Sequence, residues 1–457
     1  MASRYEPSDG ISELAELLRS GPRGTAGPLP RQRPPVDPAR RRRRRRFALI
    51  ATLIVTVVVV ALLGSYAGFT LNAPVGRADS TLHPPAVPTP AAAEIALPPQ
   101  GEAAVSVAGA DAYLGAGASG VWQAHGDAAV PIASISKLIT ALVILKAKPL
   151  ASAADPGPRI TFSKADHALY DKYYVQNATI APMPTGSILS EHDALETMLV
   201  VSACNYAEAL ADWAYGSEGA FLAATRAWLA AHGMTHTRMV EPTGIDAANT
   251  STPADLIALG RLAMADPAIA SIVGKTQLDV PADDLRGMPG TNDLLGSHGV
   301  DGIKTGTLDP SGSDLLYSAS LDVGTPTPLR VIGVELGGAT RSQVDGDVEA
   351  LLDGIAAGFH HVPLGHEGDV VGTYSTPWGS SARMVLAASP TMLVWSNTKI
   401  TASMTTTTLT TGRNGERVGT VTWKAGPNTA TAPVVLKGAI RPPTAWWRLT
   451  HPFELGR

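Results

Sequence analysis

The feature that most constrains this chain is an uncharged apolar stretch of 23 residues, Phe47 to Phe69, preceded directly by seven arginines, Arg40 to Arg46. About 20 apolar residues suffice for a helix to cross a bilayer, whereas a cleaved signal peptide usually has an apolar region of only about 7–15. Arginines beside a span favour the cytoplasmic side and attract anionic lipid. The pattern predicts a single-pass membrane helix with its N-terminus in the cytoplasm and the rest of the chain outside.

The formal net charge of −4 conceals a strong asymmetry between the two sides of this stretch. Residues 1–46 hold twelve arginines against five acidic residues, whereas the remaining chain has 24 basic and 35 acidic residues. We predict a disordered basic cytoplasmic tail over 1–46. Within it, residues 8–19 carry leucines at helical spacing and are a candidate for folding on a cytoplasmic partner. The basic run lies against a membrane span, so we interpret it as a lipid contact and predict no nucleic-acid partner.

The rest of the chain divides by composition. Residues 70–100 are rich in proline and alanine and predict a semi-extended linker. Residues 101–362 mix strand-like and helical patterns and are predicted to form one large domain. Short strand patterns, with a hairpin signal at Asn414-Gly415, predict a small all-β domain over 363–440. We interpret 441–457 as a C-terminal tail.

A serine and a lysine three residues apart, Ser134 and Lys137, form the most informative motif in the large domain predicted over 101–362. Residues at this spacing share one face of a helix, and the apolar run 138–145 would bury that helix and fix the pair. A lysine can take the proton of a serine hydroxyl when burial or nearby cations keep it partly neutral. Taken alone, the spacing is more often an N-cap beside a lysine that reaches solvent.

A second motif, Lys304-Thr305-Gly306, follows 167 residues after Lys137 in a turn-to-strand context. Glycine lets a backbone approach a ligand closely, and a lysine on that edge can hold a carboxylate. The alternative is an ordinary hairpin with one surface lysine. S-x-x-K and K-T-G together are two of the three parts of a serine acyltransferase site.

Four stretches extend this pattern, and with them the segment from about Val107 to Gly358 resembles the D-alanyl-D-alanine carboxypeptidases among the low-molecular-mass penicillin-binding proteins. The stretches come in the order typical of that family: Pro131-Ile132-Ala133-Ser134, Glu241-Pro242-Thr243-Gly244, Asn292-Asp293-Leu294-Leu295 and Gly302-Ile303-Lys304-Thr305-Gly306. The resemblance implies an α+β fold, with a β-lactamase/transpeptidase-like catalytic domain of antiparallel sheet and helices followed by a small β domain.

The resemblance also implies a reaction. Ser134 would attack the amide between the last two D-alanines of a peptidoglycan stem peptide, with Lys137 as base. Ser202 would relay a proton to the leaving amine, and water would hydrolyse the acyl-enzyme. β-Lactams would act as inhibitors, and neither a metal nor a cofactor is implied.

The same resemblance assigns substrate binding to the second motif. Lys304 and Thr305 would bind the terminal carboxylate, with Gly306 allowing close approach. The backbone N–H groups of Ser134 and Thr307 would form the oxyanion hole.

The middle motif departs from the family's S-x-N pattern. Ser202 is in place, but Cys204 stands where asparagine is expected, and Asn205 follows one residue late. Both are candidates for substrate binding. A thiol is a weak hydrogen-bonding group, so the sequence predicts either slow turnover or a local shift that lets Asn205 take over.

Two other function classes remain open at this stage. Cys204 also fits a wall-binding protein that keeps the pocket but turns over poorly. A class A β-lactamase would need a glutamate in an E-x-x-L-N loop, but the chain's single Leu-Asn pair is Leu71-Asn72. The H-E-x-x-H of zinc peptidases and the G-x-S-x-G of α/β-hydrolases are both absent.

Overall fold

The computed structural model of the chain describes residues 38–114, 121–282, 284–309 and 311–456. These fall into two compact units, one that comprises the residues up to Val75 together with those from Thr444 onward, and one that runs from Gly76 to Pro443. Residues 1–37 of the tail predicted over 1–46, with the short helix expected at 8–19, lie outside the described residues.

The secondary structure is numbered along the chain. The α-helices are α1 Pro38–Asn72, α2 Asp111–Leu114, α3 Ser136–Ala147, α4 Lys164–Tyr174, α5 Glu191–Val200, α6 Cys204–Tyr215, α7 Glu218–Ala231, α8 Pro253–Ala265, α9 Pro267–Val273, α10 Arg341–Ala357 and α11 Ala445–Thr450. The strands are β1 Asp79–Leu82, β2 Glu102–Ala108, β3 Val121–Ala124, β4 Val130–Pro131, β5 Arg159–Thr161, β6 Ile188–Ser190, β7 Thr250–Ser251, β8 Val300–Leu308, β9 Gly312–Leu321, β10 Leu329–Gly338, β11 Phe359–Pro363, β12 Val370–Ser375, β13 Ser381–Leu386, β14 Thr391–Trp395, β15 Thr401–Thr406, β16 Arg417–Ala425 and β17 Asn428–Lys437.

A five-stranded antiparallel sheet in the order β3-β2-β10-β9-β8 forms the centre of the larger unit. Alternate residues of a strand point to opposite faces, and here each face of the sheet packs into its own hydrophobic core. Leu316 of β9 packs with the helical cluster that contains α3, α5, α6 and α8, whereas Leu315 and Tyr317 pack with α10 on the other side. The sheet is therefore a middle layer between helices, and β8, which carries Lys304, is its edge strand.

Helix α8 packs closely on this sheet through a glycine. A Cβ atom at Gly260 would lie 2.6 Å from Cγ2 of Ile332 and 3.3 Å from Cδ1 of Ile303. The missing side chain thus sets how near the helix comes to β8 and β10.

The second sheet of the larger unit has six antiparallel strands in the order β1-β12-β13-β17-β16-β15. Its core includes the fully buried Trp423 and Tyr374. Strand β1 comes from the predicted linker over 70–100, since Asp79 to Leu82 pair with Ser375 to Gly372. Part of that segment is therefore the edge of the β domain. The antiparallel sheets and flanking helices confirm the predicted α+β class.

The smaller unit contains α1, a helix of 35 residues in which Thr70 alone is buried. It is long and apolar enough to cross a membrane. The helix includes the predicted span and extends beyond it at both ends, so that it takes in Arg40 to Arg46 at its start. The short α11 lies in the stretch predicted as a C-terminal tail.

We predict that Gly260→Ala lowers the free energy of unfolding by about 1–3 kcal/mol, because the added methyl overpacks the helix–sheet contact. The matched control is Gly346→Ala in α10, where a Cβ would meet nothing within 4 Å. That change should raise stability by roughly 0.5–1 kcal/mol through helix propensity. Urea titration of both variants measures the difference; equal effects would contradict the close approach of α8.

Candidate active site

Ser134 lies in a single 3₁₀ turn, Ala133–Ile135, that leads directly into α3. Lys137, one turn further on, is fully buried, while Ser134 is partly exposed. The Lys137 ammonium nitrogen Nζ donates to Ser134 Oγ at 2.8 Å and to the backbone oxygen of Thr243 at 2.8 Å. The structure thus brings the predicted pair together and fixes the amine from two sides.

The loop that supplies the Thr243 carbonyl is held by a carboxylate. Glu241 accepts from the backbone N–H groups of Thr243 and Gly244, both at 2.6 Å, and from the Asn249 amide at 2.9 Å. Thr140 of α3 donates to the carbonyl of Pro242 at 2.7 Å. This network explains the Glu-Pro-Thr-Gly stretch physically: it supports the acceptor that positions Lys137.

Asn249 ties the same loop to the start of α3. Its Nδ2 lies 3.1 Å from Ser136 Oγ, and its Oδ1 accepts from the N–H of Val240 at 2.7 Å. Sequence reasoning gave Asn249 no role in the site, because a lone asparagine in a loop carries no recognisable signal.

Gly244 is required at its position for two reasons. Its φ of +85° is a left-handed conformation that side chains rarely adopt. A Cβ there would also overlap the carbonyl oxygen of Ala133. The loop can therefore close against the turn that carries Ser134 only with glycine at this point.

Strand β8 places the second motif against the same turn. A Cβ on Gly306 would lie 3.0 Å from Cβ of Ala133 and 3.1 Å from Oδ2 of Asp314. Lys304 is buried and its Nζ donates to the Thr305 carbonyl at 3.0 Å, while Thr305 Oγ1 donates to Thr291 Oγ1 at 2.7 Å. S-x-x-K and K-T-G thus meet in space.

The buried position of Lys304 disfavours a positive charge on its side chain. Burial, followed by the positive charges of Lys137 and Arg341, holds the pKa of Lys304 well below its usual range. Within the described ranges, no carboxylate lies within ion-pair distance of it. An anion bound beside Lys304 would favour its charged form and raise its pKa. A group that binds a carboxylate is expected to respond in this way.

Ser202 and Cys204 flank the turn between α5 and α6. Ser202 is buried in a left-handed conformation, φ +65°. Among the described residues, its hydroxyl has no hydrogen-bond partner. Cys204 is also buried, and its backbone N–H donates to the carbonyl of Thr179 at 2.8 Å.

Asn205 is engaged elsewhere. Its Nδ2 donates to the carbonyl of Ala181 at 2.8 Å, and its Oδ1 accepts from the N–H of the same residue at 3.1 Å. The side chain is fully buried. In this arrangement both hydrogen-bonding groups of the Asn205 side chain are used by Ala181. Substrate binding by Cys204 and by Asn205 stays a prediction.

Thr307 completes the set of predicted site residues. It is exposed near the end of β8, and its hydroxyl donates to the carbonyl of Gly306 at 2.8 Å. Its position is thus open to a ligand that lies along the strand.

The sequence model of the D-alanyl-D-alanine carboxypeptidases matches residues 118–339. The matched segment, called here the peptidase domain, is similar to that family. All three motifs described above lie inside the matched segment, so the peptidase domain contains the complete candidate site.

Curated relatives of the peptidase domain are similar over part of their length. A D-alanyl-D-alanine endopeptidase of Pseudomonas aeruginosa is 36% identical over 140 residues, which are 30% of this chain and 41% of the relative. The D-alanyl-D-alanine carboxypeptidase DacC of Escherichia coli is 28% identical over 169 residues, 36% of this chain and 40% of the relative. The chain therefore spans about two fifths of the length of the curated relatives that it matches.

A solved structure supports the fold beyond the peptidase domain. Penicillin-binding protein 6B from Escherichia coli superimposes with a TM-score of 0.51 at 20% identity, covering 77% of this chain and 99% of that one. The similarity confirms the predicted transpeptidase-like fold with its additional β domain.

Asp314, which sequence reasoning missed, is a buried carboxyl directly behind Gly306. Burial raises its pKa to about 7, although the N–H of Gly337 donates to it at 2.9 Å. A raised folded pKa means that stability is complete below the unfolded pKa of about 4 and is lost as pH rises to about 7. Ionised Asp314 should therefore destabilise the peptidase domain at neutral pH.

We predict that Asp314→Asn removes this loss. Relative to the wild type, the variant should gain stability between pH 4 and pH 8, by at most about 4 kcal/mol at 1.36 kcal/mol per pKa unit. Thermal unfolding across this range measures it, with the exposed Asp171→Asn as matched control. A constant difference between wild type and Asp314→Asn at every pH would show that Asp314 does not titrate in this window.

Proposed function

We propose that this chain is a serine-type D-alanyl-D-alanine carboxypeptidase that removes the terminal D-alanine from peptidoglycan stem peptides. The observation that carries the proposal is the contact between the buried Lys137 Nζ and the partly exposed Ser134 Oγ, at 2.8 Å. Beside this pair lies the buried Lys304, which has no ion-pair partner among the described residues. Similarity to the peptidase family supports the proposal.

The reaction follows from this arrangement. Lys137, in its neutral form, takes the Ser134 proton while Oγ forms a bond to the carbonyl carbon of the penultimate D-alanine. The N–H groups of Ser134 and Thr307 would bind the developing oxyanion. The C–N bond then breaks, the proton reaches the leaving amine through Ser202, and free D-alanine departs. Water attacks the resulting ester and regenerates Ser134.

Recognition of the substrate's free carboxylate would fall to Lys304 and Thr305. A carboxylate brought to Lys304 would supply the counterion that this buried side chain lacks, and the interaction is strong because water is excluded. Thr305 is held in place by its hydrogen bond to Thr291. This pairing favours substrates that end in a free carboxylate next to the scissile bond.

A second candidate is the cleavage of peptide cross-bridges, because one relative at 36% identity is named an endopeptidase. The full-length protein in detergent should be given a pentapeptide ending in D-Ala-D-Ala and, separately, a cross-linked dimer. Free D-alanine from the pentapeptide supports the carboxypeptidase. Cleavage of the dimer alone favours the endopeptidase, and penicillin binding with neither reaction favours a wall-binding protein.

We further propose that α1 anchors the enzyme in the membrane, with Arg40 to Arg46 in the cytoplasm and the peptidase domain outside. The length and apolar character of α1 and the position of its arginines support this topology. Protease added to intact spheroplasts should degrade the chain from about residue 71 onward and spare the tail. Full protection of the peptidase domain would refute the orientation.

We predict that penicillin forms one covalent adduct on Ser134, because the same nucleophile should open its strained amide. Intact-mass analysis should show the adduct in the wild type and in the exposed-serine control Ser342→Ala, and none in Ser134→Ala. Lys137→Ala should bind penicillin but lose most acylation. An adduct that persists in Ser134→Ala would contradict the assignment of the nucleophile.

We predict that Cys204→Asn raises turnover. A hydrogen bond to a charged or reacting group is worth roughly 1.5–3 kcal/mol, which corresponds to about tenfold to hundredfold in rate. Cys204 should also be alkylated more slowly once Ser134 carries penicillin. Asn205→Ala should lower the melting temperature, because its amide holds Ala181. Unchanged turnover in Cys204→Asn, together with an inactive but stable Asn205→Ala, would place the binding role on Asn205 instead.

A further inference from the structure

The last described residues contact the C-terminal end of α1 within the smaller unit. The hydroxyl of Tyr66, in α1, donates to the backbone carbonyl of Leu449 in α11 at 2.6 Å. Val75 and Leu455 form an antiparallel bridge. Residues Thr444 to Gly456, called here the docked segment, therefore attach to the last turns of α1 and to the residues just beyond it.

An arginine of the docked segment caps α1. The last carbonyl groups of a helix have no partner within the helix, and the end of α1 has no basic residue of its own. Arg448 fills this role from the other end of the chain, since its guanidinium donates to the carbonyls of Leu71 at 3.2 Å and Ala73 at 2.7 Å. A positive group at this end also suits the helix dipole.

The position of these contacts along α1 sets their depth. The apolar stretch ends at Phe69, and 23 helical residues at 1.5 Å each exceed the roughly 30 Å of a hydrocarbon core. Tyr66 lies one turn inside this end, while Leu71 and Ala73 lie just beyond it. If α1 spans the bilayer, the docked segment is held at the level of the lipid headgroups.

The docked segment carries aromatic side chains that the protein leaves uncovered. Trp446 is 74% exposed and Phe453 is 87% exposed, and the ring of Trp447 stacks on His451 with centroids 4.9 Å apart. Aromatic residues, tryptophan above all, are enriched where one end of a ring meets hydrocarbon and the other meets water. Exposed rings at this depth fit a lipid surface.

We propose that the docked segment is an interfacial collar that lies in the headgroup region around the outer end of α1, with Trp446 and Phe453 in contact with lipid. The proposal rests on the proposed membrane span. It has two consequences: α1 is retained in the mature protein, because its removal would leave Arg448 and Leu449 without their partners, and the larger unit is tethered to the membrane at both Gly76 and Pro443.

Site-specific labelling tests the collar in the full-length protein. In a Cys204→Ser background, Phe453→Cys carries an environment-sensitive fluorophore, and the protein is reconstituted in phosphatidylethanolamine and phosphatidylglycerol vesicles. Tyr174→Cys, an exposed aromatic position of the larger unit, is the matched control, and Val58→Cys reports the span. Nitroxide lipids labelled either at the headgroup or deep in the acyl chain serve as quenchers.

We expect loss of most of the fluorescence at 453 with the headgroup quencher, at 58 with the deep quencher, and little loss at 174 with either. Quenching at 58 without quenching at 453 would overturn the collar and leave the span intact. Absence of quenching at 58 would overturn the span, and the collar with it.

The contacts to α1 are tested in the same assay. Tyr66→Phe combined with Arg448→Ala should reduce headgroup quenching at 453 while leaving deep quenching at 58 unchanged. Arg441→Ala, a nearby arginine outside the docked segment, is the control and should change neither. Unaltered quenching at 453 in the double variant would overturn the claim that docking on α1 positions the collar.

Discussion

A buried amine is stable only when its N–H groups have hydrogen-bond acceptors. The arrangement of the site follows from supplying such acceptors to Lys137. One partner is the hydroxyl of Ser134, which the first turn of α3 supplies. The other is the carbonyl of Thr243, more than a hundred residues away along the chain. Because that carbonyl sits in a loop, the loop itself must be rigid, and the Glu241 carboxylate makes it so.

A second constraint, close approach to Ala133, brings the edge strand β8 into the site. Two glycines, Gly244 and Gly306, allow a loop and a strand to approach Ala133 from different directions. Either side chain would push its segment away from the turn that holds Ser134. Glycine acts here by permitting contact rather than by providing flexibility, and the positions of Lys137 and Lys304 relative to each other depend on both.

The sequence predicted those parts of the site that consist of short local motifs. The pair Ser134 and Lys137 is separated by one helical turn, and K-T-G lies in a strand pattern between turn signals, so local spacing was sufficient. The order of strands, the role of Asn249 and the use of residues 79–82 as a strand depend on contacts between distant segments. Local periodicity contains no information on such contacts. The hydrogen bond from the Asn205 amide to the backbone of Ala181 is likewise a contact between distant segments that the sequence does not reveal.

The pairing of β2 with β10 has a consequence for how this protein acquires its structure. Val107 lies opposite Val331, 224 residues further along the chain. In the proposed topology the chain is exported from its N-terminus. Strand β2 can then pair early with β3, but its other edge stays unpaired until nearly the whole peptidase domain has crossed the membrane. Such distant pairings slow folding, and unpaired apolar strands invite aggregation. Under the proposed topology, the export route must therefore tolerate a sheet that closes late.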